Sequence, residues 1–137
     1  MTNNGSLVFN RGNTYTLGGT ISGTGSVTQQ GNGTTVLTTA NTYTGGTTIT
    51  TGILQLGAGG TTGSIVGNVS NNGALAFNRS DTYTYGGVVR GTGSVVQQGA
   101  GVTVLSGANR YTGATTVSAG SLYVNGDQTV PRPARRR

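Results

Sequence analysis

The stretch NNGSLVFNRGNTYT, residues 3–16, returns as NNGALAFNRSDTYT at residues 71–84, and this pair decides how the chain is read. Working outward from it, residues 3–57 match residues 71–125 without a gap, at an offset of 68 and with 33 identities in 55 positions. GTGSVTQQGNG and GTGSVVQQGAG follow at the same distance in each copy. The chain is a duplicated unit, and self-similarity at a fixed period is the mark of a repeat architecture.

A shorter repeat lies inside the long one. Gly5, Gly25, Gly52, Gly73, Gly93 and Gly120, spaced by 20, 27, 21, 20 and 27, each precede an aliphatic residue two places on: Leu7, Val27, Leu54, Leu75, Val95 and Leu122. A second apolar slot recurs at Ile21, Ile49, Val69, Val89 and Val117, and six residues before each stands Tyr15, Tyr43, Gly63, Tyr83 or Tyr111. Within each short run the apolar residues alternate, as in Leu7 and Phe9 or Leu75 and Phe77, which is the period of a strand and not of a helix. A strand repeat of this length buries its apolar side only by stacking on its neighbours. The expectation is an all-β fold, a parallel β-helix or β-solenoid of about five to six rungs, roughly 25–30 Å long at strand spacing. The tyrosines are expected to stack up one side of the rod. TTVLTTA at 34–40 and VTVLSGA at 102–108 read as an added strand packed on the rod in the 27-residue coils.

Composition agrees with this. There are 27 Gly in 137 residues, 2 Phe and no Trp, too little apolar bulk for a spherical core. Thr, Val and Ile favour extended backbone, and Gly and Asn favour turns. The chain has no Cys, so it has neither disulfides nor a thiolate metal site. The start at Met1 lacks the basic and apolar regions of a secretory signal. Residues 1–126 are expected to form the solenoid. Residues 127–137, with four of the eight arginines, are expected to form a disordered basic tail.

GTGSVVQQGAGVTVLSGANRYTGATTVSAGSLYVNG, residues 91–126, resembles the passenger-associated transport repeat, also called the autotransporter-associated β-strand repeat. The parts that carry the likeness are Gly91-Thr92-Gly93-Ser94, the turn at Gly99-Ala100-Gly101, Ser106-Gly107-Ala108-Asn109 leading to Tyr111-Thr112-Gly113, and Ala119-Gly120-Ser121-Leu122. The same parts recur at residues 23–57, with Thr39 in place of a turn glycine. The resemblance implies a right-handed β-helical passenger, secreted or on the outer surface of a Gram-negative bacterium. It also implies a role in passenger export and folding, with the rest of the parent passenger and its outer-membrane barrel as partners.

Chemistry is sparse. Asp81 and Asp127 are the two side-chain carboxylates, and His, Cys, Lys and Glu are absent. A glycosidase needs two carboxylates about 5–10 Å apart. Asp81 sits in a turn slot that Asn13, Asn41 and Asn109 hold elsewhere, and Asp127 lies beyond the last rung. Gly-Thr-Gly-Ser at 23 and 91 has no Lys to complete a phosphate loop. No catalytic, cofactor or metal residue is assigned, and without interleaved aromatics the arginine tail is not read as a nucleic-acid site. The leading reading is a structural passenger segment. The alternatives are an ice-binding solenoid, from the Thr-x-Thr motifs at 14–16, 42–44, 48–50 and 82–84, and a carbohydrate-binding adhesin fragment with a host-surface or glycan ligand. Uncapped first and last rungs also point to end-to-end self-association.

Overall fold

Short Thr- and Val-rich runs broken by glycine every few residues leave no room for a helical turn to propagate, and each run becomes a strand. The computed structural model describes residues 1–125, so residue 126 of the expected solenoid and the tail 127–137 lie outside the described residues. Among the described residues there are fifteen strands of two to four residues and no helix.

The strands, numbered in chain order, lie on three faces of a rod. Face one carries β1 (Ser6–Phe9), β3 (Ser26–Gln29), β5 (Thr47–Ile49), β7 (Val69–Asn71), β10 (Val89–Gly91) and β13 (Arg110–Tyr111). Face two carries β2 (Thr14–Leu17), β4 (Thr34–Leu37), β6 (Ile53–Leu56), β8 (Ala74–Phe77), β11 (Ser94–Gln97) and β14 (Thr115–Val117). Face three carries β9 (Thr82–Tyr85), β12 (Val102–Leu105) and β15 (Ser121–Val124). Nearer the start, face three is a looser ladder, with bridges from Thr2 to Ser22 and from Ala40 to Ser64. Every strand pair is parallel, and the two six-stranded sheets give the rod six turns.

Register explains the uneven spacing seen in the sequence. Leu7 pairs with Val27, Val27 with Thr47, Thr47 with Val69 and Val69 with Val89, so one turn takes 20 residues at most steps and 22 at one. A spacing of 27 is therefore one turn and one face more: Val27 lies on face one and Leu54 on face two, Val95 on face two and Leu122 on face three. The 68-residue offset follows the same rule. Three turns carry Leu7 to Val69, and its counterpart Leu75 lies six residues further, on the next face.

Two expectations change accordingly. The Gly-x-aliphatic runs are not successive rungs of one ladder; they stack on face one, then face two, then face three. The apolar runs at 34–40 and 102–108 are not added strands: β4 pairs with β2 and β6, and β12 with β9 and β15, as regular rungs.

Alternating side chains fill the rod's interior. Val27, Leu54, Leu75, Val95, Ile21, Ile49, Val69 and Val89 have no exposed surface, and Leu37, Leu56, Phe77 and Leu105 join them. The interior columns also take polar residues. Gln29 and Gln97 stand in columns with Ile49, Phe77 and Val117, and each amide turns back on its own corner. Gln29 Nε2 donates to the Gly31 and Gly33 carbonyls, both at 3.1 Å, and Thr35 Oγ1 donates to Gln29 Oε1 at 2.5 Å. A buried amide so satisfied costs little; Gln97 Nε2 likewise donates to the Gly99 and Gly101 carbonyls, both at 3.2 Å, while its Oε1 accepts no hydrogen bond.

Where glycine stacks on glycine, the corners of successive turns close to strand spacing only because no side chain stands between them. A Cβ on Gly93 would collide with the Gly73 carbonyl oxygen and lie 2.6 Å from Asn71 Oδ1, whereas one on Gly86 would meet nothing nearer than Ser106 Oγ at 3.6 Å. Gly93→Ala should therefore destabilise the fold by about 1–3 kcal/mol or more through overpacking. Gly86→Ala should lie within about 1 kcal/mol of the parent. Urea denaturation of both variants checks this, and equal midpoints would contradict the stacked-corner register.

Candidate functional surface

Asp81 is the one carboxylate side chain among the described residues, and it is held by an arginine. Arg79 Nε and Nη2 each lie 2.9 Å from its two oxygens. The guanidinium, hydrogen-bonded to Asp81, keeps the carboxyl below the usual carboxylate range. Arg79 also donates to the carbonyls of Thr61 at 2.7 Å and Gly63 at 3.2 Å, and its guanidinium lies 4.6 Å from the centre of the Tyr83 ring. This clamp ties the connection between the two copies to β9. The first copy repeats it in weaker form, with Arg11 Nε donating to Asn13 Oδ1 at 3.1 Å and stacking 4.7 Å from the Tyr15 ring. No group of three potential metal ligands occurs among the described residues.

The tyrosines do not form one ladder. Tyr15 is on face two in register with Thr35, and Tyr83 is on face three in register with Thr103; both are half-buried beneath their arginines. Tyr111, on face one, and Tyr43, just before β5, are buried, each with its hydroxyl 2.6 Å from a threonine Oγ1, Thr115 and Thr47 respectively. The advance of each copy's pattern by one face, a third of a turn beyond three whole turns at the common offset of 68, separates residues that the sequence aligns. Of the remaining residues picked from the sequence, Leu7 on the first described turn and Leu122 on the last are half-buried, and Val117 on the last described strand of face two is 50% exposed, since among the described residues no further turn stacks on them.

The Thr-x-Thr motifs are likewise dispersed. Thr14 and Thr16 lie on face two, Thr48 on face one, and Thr82 and Thr84 on face three, so these motifs do not line up as one array among the described residues. The corner asparagines act on neighbouring turns: Asn41 Oδ1 accepts the Ile21 N–H and Asn109 Oδ1 the Val89 N–H, both at 2.8 Å.

Sequence reasoning did not find the groove where the two copies join. Residues 64–68 and 83–87 line an open groove of about 470 Å³ beside β9, the edge strand of face three. Tyrosine hydroxyls span it, Tyr83 Oη donating to the Ile65 carbonyl at 3.3 Å and Tyr85 Oη to the Gly67 carbonyl at 2.5 Å. The irregular GAGGTTGSIVGN run at 57–68 was its signal, as the one link lacking the Tyr slot.

Comparison with known proteins places two segments, residues 27–56 and 95–124, in the passenger-associated-transport-repeat family. The chain is also 49% identical over 122 residues to the adhesin BmaC autotransporter of Brucella suis biovar 1 (strain 1330). That match takes in 89% of this chain and 4% of the relative, so the chain spans a small fraction of the relative's length. No solved structure matches the chain. The two family segments run from β3 to β6 and from β11 to β15, so the same repeat lies across different faces in its two occurrences.

Burial raises the Tyr43 hydroxyl to about 12 and pushes those of Tyr83 and Tyr85 up as well. A folded-state value above the unfolded one gives stability that is complete below pH ~10 and lost as pH rises toward the folded value. Asp81 has the opposite sign, with stability present above pH ~4 and lost as pH falls through its depressed value. With no His, Lys, Glu or Cys side chain to titrate between, the melting temperature should be level from about pH 5 to 9 and fall beyond about pH 10. Tyr43→Phe should soften the alkaline fall. Circular-dichroism melts across the range check this, and a slope between pH 5 and 9 would count against it.

Proposed function

We propose that the chain is a segment of an autotransporter passenger, a reading supported by its two passenger-associated transport repeats, and that its work is mechanical: it is a surface or secreted scaffold whose turns template one another during export. One observation carries this reading: each strand pairs only with strands one turn before and one turn after. A quasi-one-dimensional ladder of this kind needs no distant contact before a turn can form. A chain emerging from one end can fold turn by turn on what has already emerged, and each added turn opposes backward sliding. The reading is non-enzymatic, and Asp81 serves the corner clamp. Its partners are further turns of the parent passenger and the parent's outer-membrane barrel. Any ligand on a host surface belongs to the assembled parent.

The test places the chain behind an export signal and ahead of an outer-membrane barrel in a Gram-negative host. Leu75 is fully buried and Thr48 exposed on face one. Leu75→Asp buries an unpaired carboxylate at a cost of several kcal/mol and should cut surface display several-fold, while Thr48→Asp should leave it unchanged. Equal display of the two would defeat the templating reading.

The same ladder leaves strand edges at the rod's ends. Met1 and Val8 on the first turn are 55% and 44% exposed, and Val117, Tyr123 and Val124 on the last described turn are 50%, 55% and 43% exposed. Such edges are templates for another strand. The isolated chain should self-associate end to end as its concentration rises, more strongly at high salt, where its +6 charge is screened. Sedimentation velocity over a concentration series at two ionic strengths reads this. A monomer throughout would show that the edges are blocked.

A further inference from the structure

The four arginines among the described residues divide into two pairs. Arg11 and Arg79 stand 68 apart, at matching places in the two copies, and both are spent on corner clamps. Arg90 and Arg110 occupy places where the first copy has Ser22 and Thr42, so both substitutions belong to the second copy alone. Registration then brings them together. Arg90 pairs directly with Arg110 on adjacent turns of face one, and both are exposed.

Like charges set side by side on neighbouring strands destabilise a sheet. Among the described residues neither guanidinium meets a carboxylate, and Arg90 has one long contact, Nε to Ser70 Oγ at 3.4 Å. The two side chains border a shallow cleft of about 270 Å³ with Asn68, Val88 and Ala108. The column continues below them as Ser70, Thr48, Thr28 and Val8, one residue per turn. The outward surface along the rod axis is thus two arginines on neighbouring strands, followed by a serine and two threonines on the next three, with successive strands about 4.8 Å apart.

We propose that Arg90 and Arg110 form a binding site for an anionic polysaccharide lying along face one. Guanidinium forks grip sulfate or carboxylate groups in pairs of hydrogen bonds, and the Ser70, Thr48 and Thr28 hydroxyls suit the sugar hydroxyls beyond them. A single small anion is held weakly by an exposed pair in water, whereas a polyanion gains by counterion release at each contact. The column has no aromatic ring, so it lacks the stacking platform that single-stranded nucleic acid uses. The proposal stands apart from the scaffold reading.

The arginine-rich tail also attracts polyanions, so the test includes one variant that moves charge without changing its total and one that removes charge from the tail alone. A heparin-derived decasaccharide is titrated into the full chain and into three full-length variants: R90Q/R110Q, R110Q/V8R, and R135Q/R136Q/R137Q. Val8 is exposed on the same column at the far end of face one. Both R90Q/R110Q and R110Q/V8R are expected to bind about tenfold or more weakly than the parent, with R90Q/R110Q also showing a shallower salt dependence, while the tail variant keeps most of the affinity. Binding by R110Q/V8R equal to the parent would reduce the effect to net charge and overturn the proposal. So would affinity lost only in the tail variant, or a single-stranded oligonucleotide of equal charge that binds as tightly and discriminates among the variants in the same way. Circular dichroism checks that each variant is folded, as expected where the side chains of Val8, Arg90 and Arg110 are exposed.

Discussion

Everything in this rod depends on one turn's backbone resting on the next at strand spacing. The parallel ladder supplies the attraction, but the corners set the condition. At Gly25, Gly45, Gly93 and Gly113 a Cβ would fall on the carbonyl of the glycine one turn below. Glycine above glycine lets the corners close, which brings Asn41 and Asn109 within reach of the backbone N–H groups of the preceding turn. Closed corners hold the strands in register, and register in turn puts Val27, Leu54 and Leu75 inside. The hydrophobic core is a consequence of this stacking as much as a cause of it, since buried Thr47, Asn71 and Gln97 share its columns.

Strand positions were legible because alternation reports which side of a strand faces in, and residues such as Leu75 and Phe77 carry that signal locally. Face was not legible. GTGSV at 23–27 leads into β3 on face one, and GTGSV at 91–95 leads into β11 on face two, with no difference in the five letters. A strand bounded by glycine corners fits any face, so assignment depends on how many residues the intervening turns consume. That count is hidden in an irregular link such as 57–68, where the step from Thr47 to Val69 takes two residues more than its neighbours. The tyrosines were therefore aligned correctly along the sequence and misplaced around the axis. The groove beside β9 was missed for the same reason, since it exists only because the third face changes from a loose ladder to full strands at that link.

The advance of one face per copy also shapes what the surface presents. Had the duplicated unit spanned a whole number of turns, every exposed residue would sit above its own duplicate, and Arg11 would head a column of identical clamps. Instead Arg11 and Tyr15 mark the join of faces one and two, and Arg79 and Tyr83 the join of faces two and three. Repetition in sequence thus becomes variety along any one face. Face one shows threonine and serine on its middle turns and arginine on its last two, although the copies that supply them are related by descent of the same pattern.

This arrangement also separates stability from surface chemistry. Interior columns hold Leu, Val, Ile, Phe or Gln, and the corners where glycine stacks on glycine leave no room for a side chain. The outward column residues touch neither constraint. Ser22 and Thr42 in one copy and Arg90 and Arg110 in the other sit on backbones that pair in the same way: next to them the N–H of Thr44 and of its counterpart Thr112 is bonded one turn back to the carbonyl of Gly23 and of Gly91, both at 3.0 Å. A rod whose outward residues change without disturbing its ladder is suited to carry new contacts on an old scaffold, and charge is the change that shows most clearly against a chain otherwise almost free of it.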